Sequence, residues 1–264
     1  MHTKEDADID HKTKKAWDDN WGGVEIKDVL EIFKYPRVQK QLEIYMKYLP
    51  KNKKILEGGC GLGPYLIYLH NAGYDVIGID YNEEPLKKIK EHDSSLEVRV
   101  MDVRELKFPD GYFGGYLSLG VIEHFTEGPI KAIKEAHRVL SPGGYFIVQI
   151  PRFSIFNLVT YPFDILKRNN VLRKIFRRRQ KTYYWQQHFR IKDISRALAD
   201  NGFRIIETKP IDHEHALMAF CSIFRDKNTY DGATRLAVYL SSILEKYMPW
   251  STAAEMIIVC IREQ

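Results

Sequence analysis

An acidic residue and a group of glycines directly follow a short apolar run in ILEGGCGLG, residues 55–63. Glycines at 59, 61 and 63 allow a backbone loop to approach a ligand closely, because they have no Cβ. The carboxylate of Glu57 would repel a pyrophosphate, but it suits a ligand that carries an amino group. A second apolar run then ends in Asp80. Together these residues indicate a nucleotide-like binding site.

The glycine spacing argues against two common nucleotide sites. A dinucleotide fingerprint needs GxGxxG, whereas here the position three after Gly61 is Pro64. The phosphate-cradling pattern GxxxxGK[ST] does not occur in the sequence either. The ligand is therefore expected to be neither NAD nor a nucleotide held by a P-loop.

Strand and helix patterns alternate five times around these residues, which is typical of a parallel sheet covered by helices on both faces. Strands are predicted at 53–58, 75–80, 97–102, 112–119 and 145–150. A helix over 192–201, a strand over 203–208, a mostly helical stretch over 213–248 and a last strand over 253–261 follow. Ligands bind at the carboxyl ends of such strands, where Asp80 and the glycine loop both fall. Residues 26–48 are predicted as a helix broken at Pro36.

The composition describes a soluble globular chain of 264 residues with 44% hydrophobic and 28% charged residues. Its three cysteines form no CxxC pair, which argues against a disulfide framework or a metal site and fits a reducing compartment. The polar N-terminus is no signal peptide, and no run of about 18 apolar residues predicts a membrane span. We expect a cytoplasmic protein.

The net charge of +5 is unevenly distributed. Between Asp164 and Asp193 the sequence has ten basic residues and no acidic one, which leaves the rest of the chain at −5. The basic character therefore belongs to one surface. Aromatic and apolar residues flank the basic run. The segment 153–181 could contact an anionic membrane, grip an anionic substrate or a nucleic-acid backbone, or form a lid with a solvated basic face.

Six motifs, in order and spacing, resemble those of class I S-adenosylmethionine-dependent methyltransferases, in the small-molecule, type 11-like branch. They are ILEGGCGLG (55–63), GID (78–80), VMDVREL (100–106), LSLGVIEHF (117–125), RVLSPGGYFIVQIP (138–151) and HFRIKDISRALADNGF (188–203). The resemblance covers residues 53–150 strongly and 186–263 loosely. It implies an α/β fold with a Rossmann-like doubly wound sheet, mostly parallel with an antiparallel last strand, plus helical cap insertions.

The resemblance also implies the binding residues for S-adenosylmethionine and its product S-adenosylhomocysteine. Glu57 would lie near the methionyl amino group, Asp80 would accept from the ribose hydroxyls, and Asp102 would take the adenine amine. Val121 would border the sulfonium with Gly120. The complete set of implied cofactor residues is Trp17, Trp21, Glu57, Gly59, Gly61, Gly63, Asp80, Tyr81, Asp102, Val103 and Gly120. Trp17 and Trp21 look like an N-terminal lid, with cation–π attraction to the sulfonium as the physical reason.

Candidate acceptor-side residues are fewer. His124 lies just past the fourth strand and is the candidate general base, needed only if the acceptor loses a proton. His188, Tyr184 and Trp185 are the candidate substrate-binding residues. The expected domains are an N-terminal helical lid (1–50), a cofactor-binding core (51–151), a basic and aromatic substrate cap (152–190) and the C-terminal part of the core with a helical insertion (191–264).

The resemblance therefore predicts methyl transfer to a small-molecule or lipid-like acceptor by in-line displacement. Peripheral association with an anionic membrane through 153–181 is an additional hypothesis, and binding of nucleic acid is disfavoured because no separate nucleic-acid module is evident. The alternatives are an RNA or protein methyltransferase, and a catalytically inactive partner protein that binds the same cofactor.

Overall fold

A seven-stranded sheet forms the centre of the molecule, in a computed structural model that describes residues 4–158 and 186–264. The strand order is β3-β2-β1-β4-β5-β7-β6. The strands are β1 (Ile55–Gly58), β2 (Val76–Asp80), β3 (Glu97–Val100), β4 (Phe113–Leu119), β5 (Leu140–Pro151), β6 (Phe203–Ile211) and β7 (Glu255–Arg262). β7 runs antiparallel to β5 and β6, and the strands from β1 to β5 pair in parallel. The predicted antiparallel last strand is confirmed.

Helices cover both faces of the sheet, as the alternating pattern predicts. They are α1 (Lys4–Gly22), α2 (Ile26–Leu30), α3 (Pro36–Tyr48), α4 (Pro64–Asn71), α5 (Glu83–His92), α6 (Ile130–Val139), α7 (Ile191–Ala199), α8 (His213–Phe220), α9 (Arg235–Tyr247) and α10 (Pro249–Thr252). Short 3₁₀ turns lie at Glu31–Lys34, Ile122–His124 and Ser222–Phe224.

Two apolar cores follow from this layering. On one face, Ile133 of α6 and Leu198 of α7 pack with Leu56 and Val148. On the other face, side chains of α2 to α5 pack against neighbouring strand positions such as Ile55. Because successive strand residues point to opposite faces, inner strands such as β1 and β2 must be covered on both faces of the sheet. Both are buried throughout.

Several predicted boundaries shift. The expected N-terminal helical lid begins with α1, which runs over Lys4–Gly22. The helix predicted over 26–48 is interrupted by the 3₁₀ turn, and α3 starts with Pro36 at its first position, where a missing N–H costs nothing. The helical prediction over 213–248 divides into α8 and α9, separated by the 3₁₀ turn and an irregular stretch.

The apolar face of α9 is turned to solvent. Tyr247 and Leu236 are 69% and 53% exposed, whereas the small residues Ala237 and Ser241 are buried against the fold. Small side chains let α9 approach α8 closely. Within residues 4–158 and 186–264, no helix combines the length and apolar character needed to cross a membrane.

Candidate active site

A cavity of about 370 Å³ opens at the carboxyl ends of β1, β2 and β4. This is where the strand order reverses direction, since β1 has β2 on one side and β4 on the other. We call it the first cavity. Its lining includes ten of the eleven predicted cofactor residues, namely Trp17, Trp21, Glu57, Gly59, Gly61, Asp80, Tyr81, Asp102, Val103 and Gly120.

The three glycines of the loop are held in left-handed backbone conformations, with φ of 70°, 53° and 66°. A Cβ on Gly59 would lie 2.5 Å from Val121, and one on Gly61 would lie 3.1 Å from Trp21. Gly63 differs from the other two. It precedes α4 and does not line the first cavity, and a Cβ there would lie 2.7 Å from Ile89. Glycine is required at position 63 by the left-handed turn before α4 and by the close packing against α5.

Glu57 is the most strongly perturbed acid of the first cavity. Its side chain is buried at the end of β1, and burial raises the pKa of its carboxyl to about 8. The backbone N–H of Leu66 hydrogen-bonds to the carboxyl and opposes this rise. The Oε2 atom is buried, and no described residue hydrogen-bonds to it. An unsatisfied buried carboxyl oxygen is a suitable acceptor for an ammonium group, so the site fits the amino acid end of S-adenosylmethionine.

Asp80 connects the glycine loop to the end of β2. Its Oδ2 accepts from the Gly61 N–H at 2.9 Å and its Oδ1 accepts from the Asn82 N–H at 2.9 Å. Burial raises the pKa of this carboxyl, and the two N–H donors oppose that rise. A carboxylate has about four lone-pair positions, so acceptor capacity remains for the hydroxyl groups of a ribose.

Asp102 is held by an ion pair that the sequence did not predict. The Arg104 guanidinium donates to both of its carboxylate oxygens, with Nη2 to Oδ2 at 2.7 Å. Hydrogen bonds from Arg104, opposed by partial burial, lower the pKa of Asp102. Arg104 also pairs with Glu127 at 3.2 Å. Asp102 thus stays ionised, and its adjacent Val103 is buried.

The two tryptophans of α1 lie over this loop. Their rings stack with centroids 5.3 Å apart, and Trp17 also makes an edge contact with His124 at 5.4 Å. His124 Nε2 lies 3.9 Å from the carboxylate of Glu123. An aromatic wall next to Gly120 suits a sulfonium, because ring faces attract cations.

A second cavity of about 400 Å³ adjoins the first, and the two share Trp17, Gly120 and His124. It is lined further by Glu123, Arg152, Phe156, His188, Phe220 and Glu255. Of the predicted substrate-binding residues, His188 therefore faces the second cavity. Tyr184 and Trp185 lie outside the described residues.

The sequence reading missed several residues of both cavities. Glu123 directly precedes the candidate base His124. Its side chain is buried, and burial raises the pKa of its carboxyl to about 8. Arg152 directly follows β5, a position where ligand contacts are expected, so its place in the sequence could have indicated it. Glu255 gave no such signal, because it begins the antiparallel strand β7. Among the described residues, no group of three His, Cys, Asp or Glu side chains is arranged so that it could hold a metal ion.

The fold and the first cavity define a class of protein. A solved structure of an S-adenosylmethionine-dependent methyltransferase from Methanosarcina mazei matches with a TM-score of 0.59 at 20% identity, covering 87% of this chain and 98% of that one. At that identity the likeness concerns the fold. Residues 56–148 match the model of the family described as Methyltransferase domain. This part of the chain is a methyltransferase domain of the class that uses S-adenosylmethionine as its cofactor.

Relatives with different names share this domain. A mouse protein named probable tRNA methyltransferase 9B is 36% identical over 118 residues, which is 44% of this chain and 25% of that protein. The demethylmenaquinone methyltransferase of Staphylococcus aureus (strain JH9) is 30% identical over 149 residues, which is 52% of this chain and 60% of that protein. The chain spans less than two fifths of the length of the first curated relatives it matches.

Proposed function

We propose that this protein transfers the methyl group of S-adenosylmethionine to a small-molecule or lipid-like acceptor. The observation that carries the proposal is the junction of the two cavities at Trp17, Gly120 and His124. A cofactor in the first cavity and an acceptor in the second would meet there. A cavity of about 400 Å³ falls within the range of small-molecule sites.

The chain's own residues would mainly hold and align the two reactants. The bound cofactor supplies a methyl group already activated by a positive sulfur. Glu57, Asp80 and Asp102 would hold its amino, ribose and adenine groups, and alignment alone can supply about 7–11 kcal/mol of rate acceleration. His124, at the junction, is the proposed proton acceptor where the acceptor atom must lose a proton.

We assign one role to each of the four expected domains. Residues 1–50 form a lid, 51–151 the cofactor core, 152–190 the acceptor cap, and 191–264 complete the core. Two observations support it. Trp21 of α1 lies against the glycine loop. The second cavity is lined both by residues of the proposed cap, such as Phe156, and by residues of the C-terminal part, such as Phe220.

The lipid-like option is supported by the staphylococcal relative, whose name specifies a quinone acceptor. Within the segment 153–181, proposed to contact an anionic membrane, residues 153–158 are described and 159–181 lie outside the described residues. Phe153, Ile155 and Leu158 are exposed apolar side chains, which is the kind of surface that inserts into a lipid interface.

A second candidate function is RNA methylation. The mouse relative is named for tRNA, and the basic run between Asp164 and Asp193 could neutralise phosphates. A protein acceptor and a partner protein without turnover are the remaining alternatives. The class of molecule that receives the methyl group, or the absence of any transfer, distinguishes these alternatives from the main proposal.

The first test is a thermal shift with S-adenosylhomocysteine, with NAD as the control ligand. S-adenosylhomocysteine should raise the melting temperature and NAD should not. Asp80→Asn should weaken binding by about 1–3 kcal/mol, because charge-assisted hydrogen bonds are lost. Equal shifts with both ligands would refute the cofactor assignment.

The acceptor class is then read from labelled methyl transferred into a cell extract that is split into lipid, small-molecule, protein and nucleic-acid fractions. Label in the lipid or small-molecule fraction is the expected result. Label in RNA alone would favour the second candidate. Bound cofactor with no label in any fraction would favour a partner protein without turnover.

A further inference from the structure

Arg152 places a positive charge on the wall of the second cavity, and no carboxylate of residues 4–158 or 186–264 forms an ion pair with it. It directly follows β5, where its backbone N–H donates to the Ala254 carbonyl at 2.9 Å. The Nη1 atom is buried and has no hydrogen-bond partner in the described part of the chain. Burial lowers the pKa of the guanidinium, and among the described residues no acid acts in the opposite direction.

The carboxyls of Glu255 and Glu123 line the same cavity, and neither forms an ion pair with Arg152. Glu255 opposes Pro151 across the β5–β7 pair, and Gln149 Nε2 donates to its Oε2. Desolvation and then the nearby Asp212 raise the pKa of Glu255. Glu123 is buried, and its pKa is raised to about 8. At pH 7 Glu123 is thus mostly neutral and Glu255, whose pKa is raised to about 7, is only partly ionised, whereas an arginine side chain keeps its charge.

The remaining neighbours do not neutralise Arg152 either. The Trp250 ring lies 5.6 Å from the guanidinium carbon, a cation–π contact that leaves the donor groups unused. Burial lowers the pKa of His213, and nearby acids oppose this effect. The positive charge of Arg152 makes a smaller contribution to the lowering, so His213 lies near Arg152. His188 and His215 line the same cavity, and neither carries a negative charge that could offset the guanidinium.

We propose that the methyl acceptor carries an anionic group, a carboxylate or a phosphate, which binds Arg152 in the second cavity. This inference rests on the proposed function. Leaving the buried Nη1 donor of this partly buried guanidinium without a partner costs free energy that a bidentate oxyanion would recover. Phe156 and Phe220 on the same cavity wall would pack against the apolar part of such an acceptor.

The test uses the full chain saturated with S-adenosylhomocysteine and three aromatic probes of similar size: benzoate, phenyl phosphate and neutral benzamide. Affinities are measured by ligand-observed NMR titration. At least one anion should bind about tenfold or more tightly than benzamide. The preferred anion distinguishes a carboxylate acceptor from a phosphorylated one.

Three variants assign the preference to this side chain. Arg152→Gln should remove it, and Arg152→Lys should retain part of it, because the charge stays but the planar fork is lost. Arg204→Gln, at an exposed position paired with Glu263, is the matched control and should bind like wild type. A folded melting transition is required of each variant.

Three outcomes would overturn the inference: benzamide binding as tightly as both anions, no binding of any probe, or an unchanged preference in Arg152→Gln. Each is distinct from failure of the proposed function. That failure would appear earlier, as absence of S-adenosylhomocysteine binding, and would remove the inference with it.

Discussion

At the scale of single residues, we expect Glu57 to couple cofactor binding to the release of a proton. Its pKa is about 8 in the free protein because it is buried, so at pH 7 the carboxyl is mostly protonated. An ammonium group placed beside it stabilises the carboxylate and lowers that pKa. Binding at pH 7 should therefore release a proton, and affinity should rise from about pH 6 to about pH 7.5.

Calorimetry in two buffers with different ionisation enthalpies measures this proton release directly. Glu57→Gln, which keeps the shape and removes the titration, should weaken S-adenosylhomocysteine binding by about tenfold. It should also abolish most of the release. Equal proton release in wild type and Glu57→Gln would assign the proton to another group, such as Asp80, whose pKa is also raised.

At the scale of elements, a single lysine ties α1 to α5. Lys88 Nζ donates to the carbonyls of Trp21, Gly22 and Val24 at 2.8, 3.2 and 3.1 Å. These carbonyls lie at the C-terminal end of α1, where the last turn leaves acceptors unsatisfied and cations are favoured. The tryptophans over the first cavity therefore depend on a contact made from a different helix.

Lys88→Met should loosen α1 without disturbing the sheet. We expect faster amide hydrogen exchange over residues 13–22 and a few-fold loss of S-adenosylhomocysteine affinity, in line with about 1 kcal/mol for such a cap. Lys87→Met, at the exposed neighbouring position of α5, is the control. If both variants exchange alike in α1, Lys88 does not hold this helix.

At the scale of the whole molecule, Arg37 joins segments far apart in the chain. From the start of α3 it donates to Asp231 Oδ2 at 2.8 Å and lies 3.4 Å from Glu214 and 3.7 Å from Asp212. The side chains of Arg37 and Asp212 are each 9% exposed. Removing Arg37 takes the guanidinium away from Asp212 and Glu214, whereas Asp231 keeps an ion pair with Arg225 at 3.7 Å.

Arg37→Met should therefore lower the free energy of unfolding by about 3–5 kcal/mol, the cost of breaking a buried ion pair from one side. Urea titration measures this loss. The control is Lys40→Met on the same helix, where the ion pair with Glu245 is exposed and the expected loss is below about 1 kcal/mol. Similar losses in the two variants would contradict the role of burial.

The sheet and most of the first cavity could be predicted from the sequence because their signals are local. The glycine loop, Glu57 and Asp80 lie within or beside short apolar runs that form β1 and β2. In a parallel sheet the ends of such strands meet at one edge. Knowing the strands was therefore enough to expect these residues near one another. The cofactor roles of the individual side chains stay predictions.

Only the tertiary structure decided the rest, because it depends on segments distant in the chain. Gly63 matches the motif but packs against Ile89 of α5 and does not line the first cavity. Arg152 and Glu255 share a cavity wall only because β7 inserts antiparallel beside β5. The sequence by itself determined a sheet with a nucleotide-like site at its edge. The position of Arg152 on the wall of the second cavity depends on strand pairing between distant segments, which no local pattern encodes.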